Sequence, residues 1–188
     1  MVNILNLMPI DSYIIKSQEY AQLMKKKATK SINTRNWTND LDVSNSHFVG
    51  KIGEAHFAYI LSLSIPDFPE PNYSVGFNGD KGIDFCYNGL KIDVKTCVNK
   101  QSMNRQEYLK IEIDKMIADI YSLVVYYPTI KQCKYIGSLT TSYIKQISQY
   151  SSNCHIKKRD DKMYYWIHEQ EVIDNVNKNI YKILQKDI

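Results

Sequence analysis

The alternation of apolar and polar positions changes period several times along the chain, and each change marks a different element. From Asp11 to about Lys30 a weak apolar stripe through Ile14, Ile15, Ala21 and Met24 recurs at helical spacing. It predicts a surface helix with a basic cluster at Lys25, Lys26, Lys27 and Lys30. Arg35 to Ser46 is polar and turn-rich, and Ser44 or Ser46 then offers an N-cap for a second helix running to about Leu63. That helix is apolar nearly all round (Phe48, Val49, Ile52, Ala55, Phe57, Ala58, Ile60, Leu61, Leu63), the pattern of a buried helix. Pro66, Pro69 and Pro71 forbid its continuation. Short runs rich in β-branched and aromatic residues predict strands at Tyr73 to Phe77, Gly82 to Tyr87, Leu90 to Cys97, Tyr108 to Ile113, Ile120 to Tyr127 and Tyr135 to Leu139. A short helix over Thr141 to Ser148 follows, then a polar, basic loop over Ser151 to Lys162, a strand over Met163 to Ile167 and a closing helix over Glu169 to Leu184. This order of elements predicts an α/β (α+β) fold, with a mixed central β-sheet flanked by helices.

Composition narrows the class. With 188 residues, 44% of them hydrophobic and 23% charged, the chain suffices for one globular domain with its own core. No repeat, low-complexity tract or Pro/Gly-rich linker divides it. Apolar runs such as Leu123 to Tyr127 fall far short of the roughly 18 residues a membrane span needs, so a soluble protein without a membrane partner is expected. Met1 to Ile10 carries neither a basic leader nor a small-residue cleavage pattern, which predicts a cytoplasmic location. Cys86, Cys97, Cys133 and Cys154 have no C-x-x-C spacing, and Cys154 beside His155 has nothing nearby to complete a tetrahedral site. Four free thiols are expected. The formal charge of +4 is compatible with a nucleic-acid partner without demanding one.

The candidate chemistry sits on a hairpin. Asn88-Gly89 between two alternating runs predicts a type I′ turn, because both central residues of that turn need positive φ. The turn fixes a register in which Tyr87 faces Leu90, Cys86 faces Lys91, Phe85 faces Ile92, Asp84 faces Asp93 and Ile83 faces Val94. Tyr87, Phe85, Ile83, Leu90, Ile92 and Val94 then share an apolar face suited to burial under helices. The other face holds Gly82, Asp84 and Cys86 beside Lys91, Asp93 and Lys95, with the two carboxylates opposed. Repulsion between like charges about 5 Å apart is on the order of 3 kcal/mol at an effective dielectric near 20, so the pair needs a cation, a shared proton or full solvation. Oxygen-only ligands of this kind suit Mg²⁺ or Mn²⁺. Cys86 is a bystander, and the solvent-facing side of an ordinary hairpin would carry similar residues. A third acid distinguishes the two cases. Glu54 lies inside the apolar helix with only Lys51 as a nearby charge, so a cation or strong donor is expected opposite it.

Gly50-Lys51-Ile52-Gly53-Glu54 on a helix, then Gly82-Ile83-Asp84, then Asp93-Val94-Lys95 resembles the signature of the PD-(D/E)XK nuclease superfamily, the restriction-endonuclease-like proteins. Ala118-Asp119-Ile120-Tyr121 and Ile136-Gly137-Ser138-Leu139-Thr140 are similar to its later core elements, so the resemblance covers residues 46–170. Ile83 stands where the family name has Pro. The resemblance implies a single nuclease domain over 1–188, with an N-terminal helical extension (1–45), a catalytic core (46–170) and a C-terminal helix (171–188). It implies a metal-dependent endonuclease that hydrolyses DNA to 5′-phosphate products. Asp84 and Asp93 would hold Mg²⁺, with Mn²⁺ able to substitute; Glu54 would support the metal or its water, and Lys95 would orient the attacking water. Lys100, Gln101 and Arg105, just after the catalytic strand, are candidates for contact with DNA, which is expected to be double-stranded. The N-terminal and closing helices match nothing in that family and are candidates for contact with DNA or with a second copy in a homodimer. A catalytically inactive nuclease-fold module that binds DNA or protein, and an RNA-directed nuclease, are the alternatives.

Overall fold

A computed structural model describes residues 10–31, 40–74, 82–99, 107–176 and 180–184. Its elements in chain order begin with α1 (Ile10–Ser31), α2 (Asp40–Ser62), β1 (Phe85–Tyr87), β2 (Leu90–Val98) and β3 (Tyr108–Glu112). After a short 3-10 turn at Ile113–Lys115 come β4 (Ile120–Tyr127), β5 (Gln132–Thr140), α3 (Thr141–Ile147), β6 (Cys154–Arg159), β7 (Lys162–His168), α4 (Glu169–Val176) and α5 (Ile180–Leu184).

The turn chemistry places the first hairpin. Asn88 and Gly89 adopt φ values of 47° and 75°, and the strands pair as Phe85 with Ile92, Cys86 with Lys91 and Tyr87 with Leu90. β2 runs parallel to β4, and β4 antiparallel to β5, giving a mixed four-stranded sheet in the order β1-β2-β4-β5. A second, antiparallel sheet has the order β3-β7-β6. The described residues thus form a mixed α/β fold of two sheets and five α-helices.

Several boundaries differ from the sequence expectation. α2 begins at Asp40 rather than at Ser44 or Ser46: the polar run at its start continues the helix. The basic stretch expected as a loop contains β6, which pairs with β7 around a turn where Asp160 and Asp161 take φ of 50° and 60°. Tyr73 and Ser74 belong to no strand, and the rest of that predicted run lies outside the described residues. The closing helix is two pieces, α4 and α5, on either side of residues outside the description.

The core lies on both faces of the four-stranded sheet. On one face Ile92, Val94, Ile120 and Val124 pack with Phe57, Ala58 and Leu61 of α2, with Phe85, and with Ile180 and Leu184 of α5. On the other, Tyr121, Leu123, Val125 and Leu139 meet Leu109 and Ile111 of β3, Tyr165 and Ile167 of β7, and Ile144, Ile147 and Val172 of α3 and α4. One face is therefore covered by helices and the other by a second sheet with helices, so the site-bearing strand β2 runs between two cores. Each fully buried Leu, Ile or Phe contributes about 1.5–3 kcal/mol, which holds β2 rigid from both sides. Among the described residues no helix is long and apolar enough to cross a membrane.

Candidate active site

β2 alternates between the two cores, so its odd-numbered residues Asp93, Lys95 and Cys97 share the side of Tyr121, Leu123 and Val125 on β4. Asp93 pairs in register with Tyr121 and is buried, while Lys95 Nζ lies 2.7 Å from Asp93 Oδ2. The Lys95 side chain is 37% exposed against 5% for Asp93, which makes the ammonium the end of the pair that a solute can reach.

Asp84 departs from the predicted geometry. The ladder stops at Phe85; the Asp84 N–H donates to the Ile92 carbonyl at 2.9 Å, and Asp84 Oδ2 accepts from the Val94 N–H at 2.7 Å. The expected cross-strand pair of Asp84 with Asp93 is thus not a ladder pair. Turning Asp84 onto the edge of β2 satisfies its carboxylate with a backbone donor and relieves the repulsion that regular pairing would impose. Gly82, at φ 80°, takes a left-handed conformation just before it.

Glu54 arrives from α2, and a glycine sets how close it comes. A Cβ on Gly53 would stand 1.8 Å from Thr96 Oγ1, so only glycine lets the helix lie this near β2. The next residue, Glu54, is buried and accepts from Lys51 Nζ at 2.5 Å, one helical turn back. Lys51 Nζ also lies 5.1 Å from the centre of the Tyr20 ring on α1. Burial alone would lower the Lys51 pKa, but the Glu54 carboxylate, helped by Tyr20 and Asp84, raises it above its ordinary value. Lys95 behaves alike: burial opposes its charge, and Asp93, then Asp84 and Tyr121, outweigh it and raise the pKa.

Asp84 is therefore electrostatically coupled to two lysine–carboxylate pairs, Lys51–Glu54 on α2 and Lys95–Asp93 on β2. All four residues picked from the sequence, Glu54, Asp84, Asp93 and Lys95, belong to this one arrangement. Tyr20 and Tyr121 were missed because no local pattern marks them. Lys51 carried a legible signal, since a cation three residues before a buried helical acid shares its face. The three carboxylates are hard oxygen ligands of the kind a divalent ion takes. Among the described residues, however, no three carboxylate, imidazole or thiol groups converge as a metal cluster. A metal bound here would compete with the two ammoniums for Glu54 and Asp93.

Lys100, Gln101 and Arg105 lie outside the described residues. Cys86 is exposed and pairs in register with Lys91, and Cys154 is buried while His155 points outward. Asp119 ties the hairpin to β4, its N–H donating to the Lys91 carbonyl and its carboxylate accepting from the Lys91 N–H, at 2.8 and 2.9 Å. Comparison with protein-family models, with curated proteins and with solved structures gives no match.

Proposed function

We propose that this chain is a metal-dependent endonuclease that hydrolyses DNA phosphodiester bonds, with a restriction-endonuclease-like core built on β1, β2, β4, β5 and α2. The observation that carries the reading is the Asp93–Lys95 pair on β2 with Asp84 coupled to it and to Lys51–Glu54. Phosphodiester hydrolysis needs both a cation-holding carboxylate and a fixed positive charge, and Asp93 with Lys95, under the charge of Asp84, supply both types of group. Asp84 and Asp93 would hold Mg²⁺ or Mn²⁺, with Glu54 supporting it; the ion would polarise the phosphate and acidify a bound water. Lys95 Nζ, part-exposed beside Asp93, would set a positive charge against a phosphate oxygen that gains negative charge, and its raised pKa keeps it protonated at neutral pH. Lys51 holds the Glu54 carboxylate in one orientation within the buried helix face.

A second reading is an inactive nuclease-fold module that binds DNA. It is favoured by the engagement of each carboxylate: Glu54 with Lys51, Asp93 with Lys95, Asp84 with the Val94 amide. Incubating the protein with supercoiled plasmid, linear duplex, single-stranded DNA and RNA, in Mg²⁺, Mn²⁺ or EDTA, separates the two. Metal-dependent cutting of DNA that Asp93→Ala abolishes supports the nuclease. Retarded DNA mobility without cutting, equal in both proteins, supports the binding module, and cutting confined to RNA corrects the substrate.

A further inference from the structure

The second sheet presents an outer face with chemistry of its own. β3, β7 and β6 turn Leu109, Ile111, Tyr165, Ile167 and Cys154 into the core. Strand alternation therefore sends Tyr108, Lys110, Trp166, His168, His155 and Lys157 outward. Lys110, Trp166 and His155 stand abreast across the three strands, and Tyr108 pairs with His168 in the next row. The Trp166 ring has the Lys110 ammonium 4.3 Å and the Lys157 ammonium 4.8 Å from its centre. Tyr108 packs 5.8 Å from Trp166 and 5.3 Å from His168, ring centre to ring centre. The indole N–H of Trp166 has no acceptor among the described residues.

The charges around this cluster are unequal in their engagement. Arg159 meets Asp160 at 3.4 Å, Lys158 meets Asp161 at 3.1 Å, and Lys115 and Lys162 meet Glu112 at 3.1 and 3.4 Å. Lys110 and Lys157 form no ion pair among the described residues; both lean on the tryptophan instead. An acidic peptide would use the two lysines and leave the rings idle, and a duplex hides the faces of its bases. A single strand offers both a flat π-surface and phosphates on either side of it.

We propose that the outer face of β3-β7-β6 binds single-stranded DNA, a base stacking on the Trp166–Tyr108 cluster as the Lys110 and Lys157 ammoniums swing from over the Trp166 ring to the flanking phosphates. The first strand of this sheet reaches the strand that bears the candidate site. The Cys97 thiol, two residues beyond Lys95 on β2, donates to the Tyr108 carbonyl at 3.2 Å, so one edge of the platform meets the end of the site-bearing strand. The choice of DNA over RNA rests on the nuclease reading above; the stacking and the charge complementarity do not.

Trp37 and Trp166 are the two tryptophans of the chain, so Trp37→Phe leaves Trp166 as sole reporter. That protein is titrated in EDTA with oligothymidylate, oligouridylate and a DNA duplex of equal length, by tryptophan fluorescence and by anisotropy of labelled strands at two salt concentrations. Oligothymidylate should quench Trp166 and bind about tenfold more tightly than the duplex. Trp166→Ala should weaken it about tenfold with Trp166→Phe intermediate, and Lys110→Ala with Lys157→Ala should weaken it and flatten its salt dependence. Equal binding of duplex and single strand, tighter binding of oligouridylate, an unquenched tryptophan, or variants that bind like the parent would each overturn the proposal. Asp93→Ala should leave this binding intact even where cleavage is lost, so failure of the platform and failure of the nuclease are distinguishable.

Discussion

Lys95 and His56 show how single residues divide between chemistry and stability. Lys95 is half-open while Asp93 beneath it is buried, so the ammonium is placed to act on a solute. Lys95→Ala should reduce cleavage by about 10²-fold or more, with circular dichroism and DNA affinity nearly unchanged; loss of the fold instead would make Lys95 structural. His56 lies buried on α2, and burial pushes its pKa from 6.5 down to about 4. The fold thus prefers neutral imidazole. Its contribution is complete above about pH 6.5 and is lost as pH falls through about 4, because the unfolded chain takes up the proton first. Unfolding free energies from urea titrations between about pH 7 and pH 4 should fall with acidity, by up to about 1.4 kcal/mol per pH unit from this group, and the slope should shrink in His56→Asn. A slope unchanged in the variant would show that other groups set acid stability. At this scale Asp93, Lys95 and Glu54 were legible, since a D-x-K on a strand and an acid in an apolar helix stand out against their surroundings. The turn of Asp84 away from the ladder was not: alternation continues through Gly82–Tyr87, and nothing local marks where pairing stops.

At the scale of elements, α2 and β2 meet where Gly53 lies against Thr96. Gly53→Ala would force the helix off the strand, since the added methyl meets Thr96 Oγ1 at 1.8 Å and Thr96 Cβ at 2.9 Å. Overpacking of this kind costs about 1–3 kcal/mol, more than alanine gains in helix propensity, and it displaces the Glu54 that follows. Thr96→Ala removes the two nearest contacts, at 1.8 and 2.8 Å, and leaves Cβ at 2.9 Å, so the double variant should recover part of the lost stability in a thermal-unfolding cycle. Additive losses would place the strain elsewhere. The hairpin was legible because Asn-Gly dictates both turn and register. β6 was hidden for the opposite reason: its outward residues His155, Lys157 and Arg159 are polar, and Ile156 and Lys158 on the inner side are themselves exposed, so no apolar alternation marks the strand. The turn at Asp160-Asp161 was a weaker form of the Asn-Gly signal, since Asp also tolerates positive φ.

Over the whole molecule, the two cores meet at β2 and β4, and the C-terminal element belongs to one of them. α5 buries Ile180 and Leu184 in the cluster that holds Phe85 and Ile92, and the Leu184 carbonyl accepts from the Asn88 side chain at 2.9 Å. The last piece of the closing helix, which was read from sequence as a candidate for contact with DNA or a second copy, thus turns Ile180 and Leu184 onto the hairpin's cluster, while Val172 of α4 joins the other core. Clasping the turn from 96 residues away, α5 should govern how often the hairpin that follows Asp84 and carries Asp93 opens. Ile180→Ala with Leu184→Ala removes two anchors from a close-packed cluster, a loss of about 2–5 kcal/mol for each fully buried side chain. Since opening is local where contacts are local, amide exchange should accelerate in β1 and β2 while β6 and β7, packed on the opposite core, stay protected. The proposed cleavage should fall with the hairpin's protection, and the proposed single-strand binding on the second sheet should persist. Uniform acceleration across both sheets would mean instead that the two cores unfold as one cooperative unit, and that the site is only as stable as the whole chain.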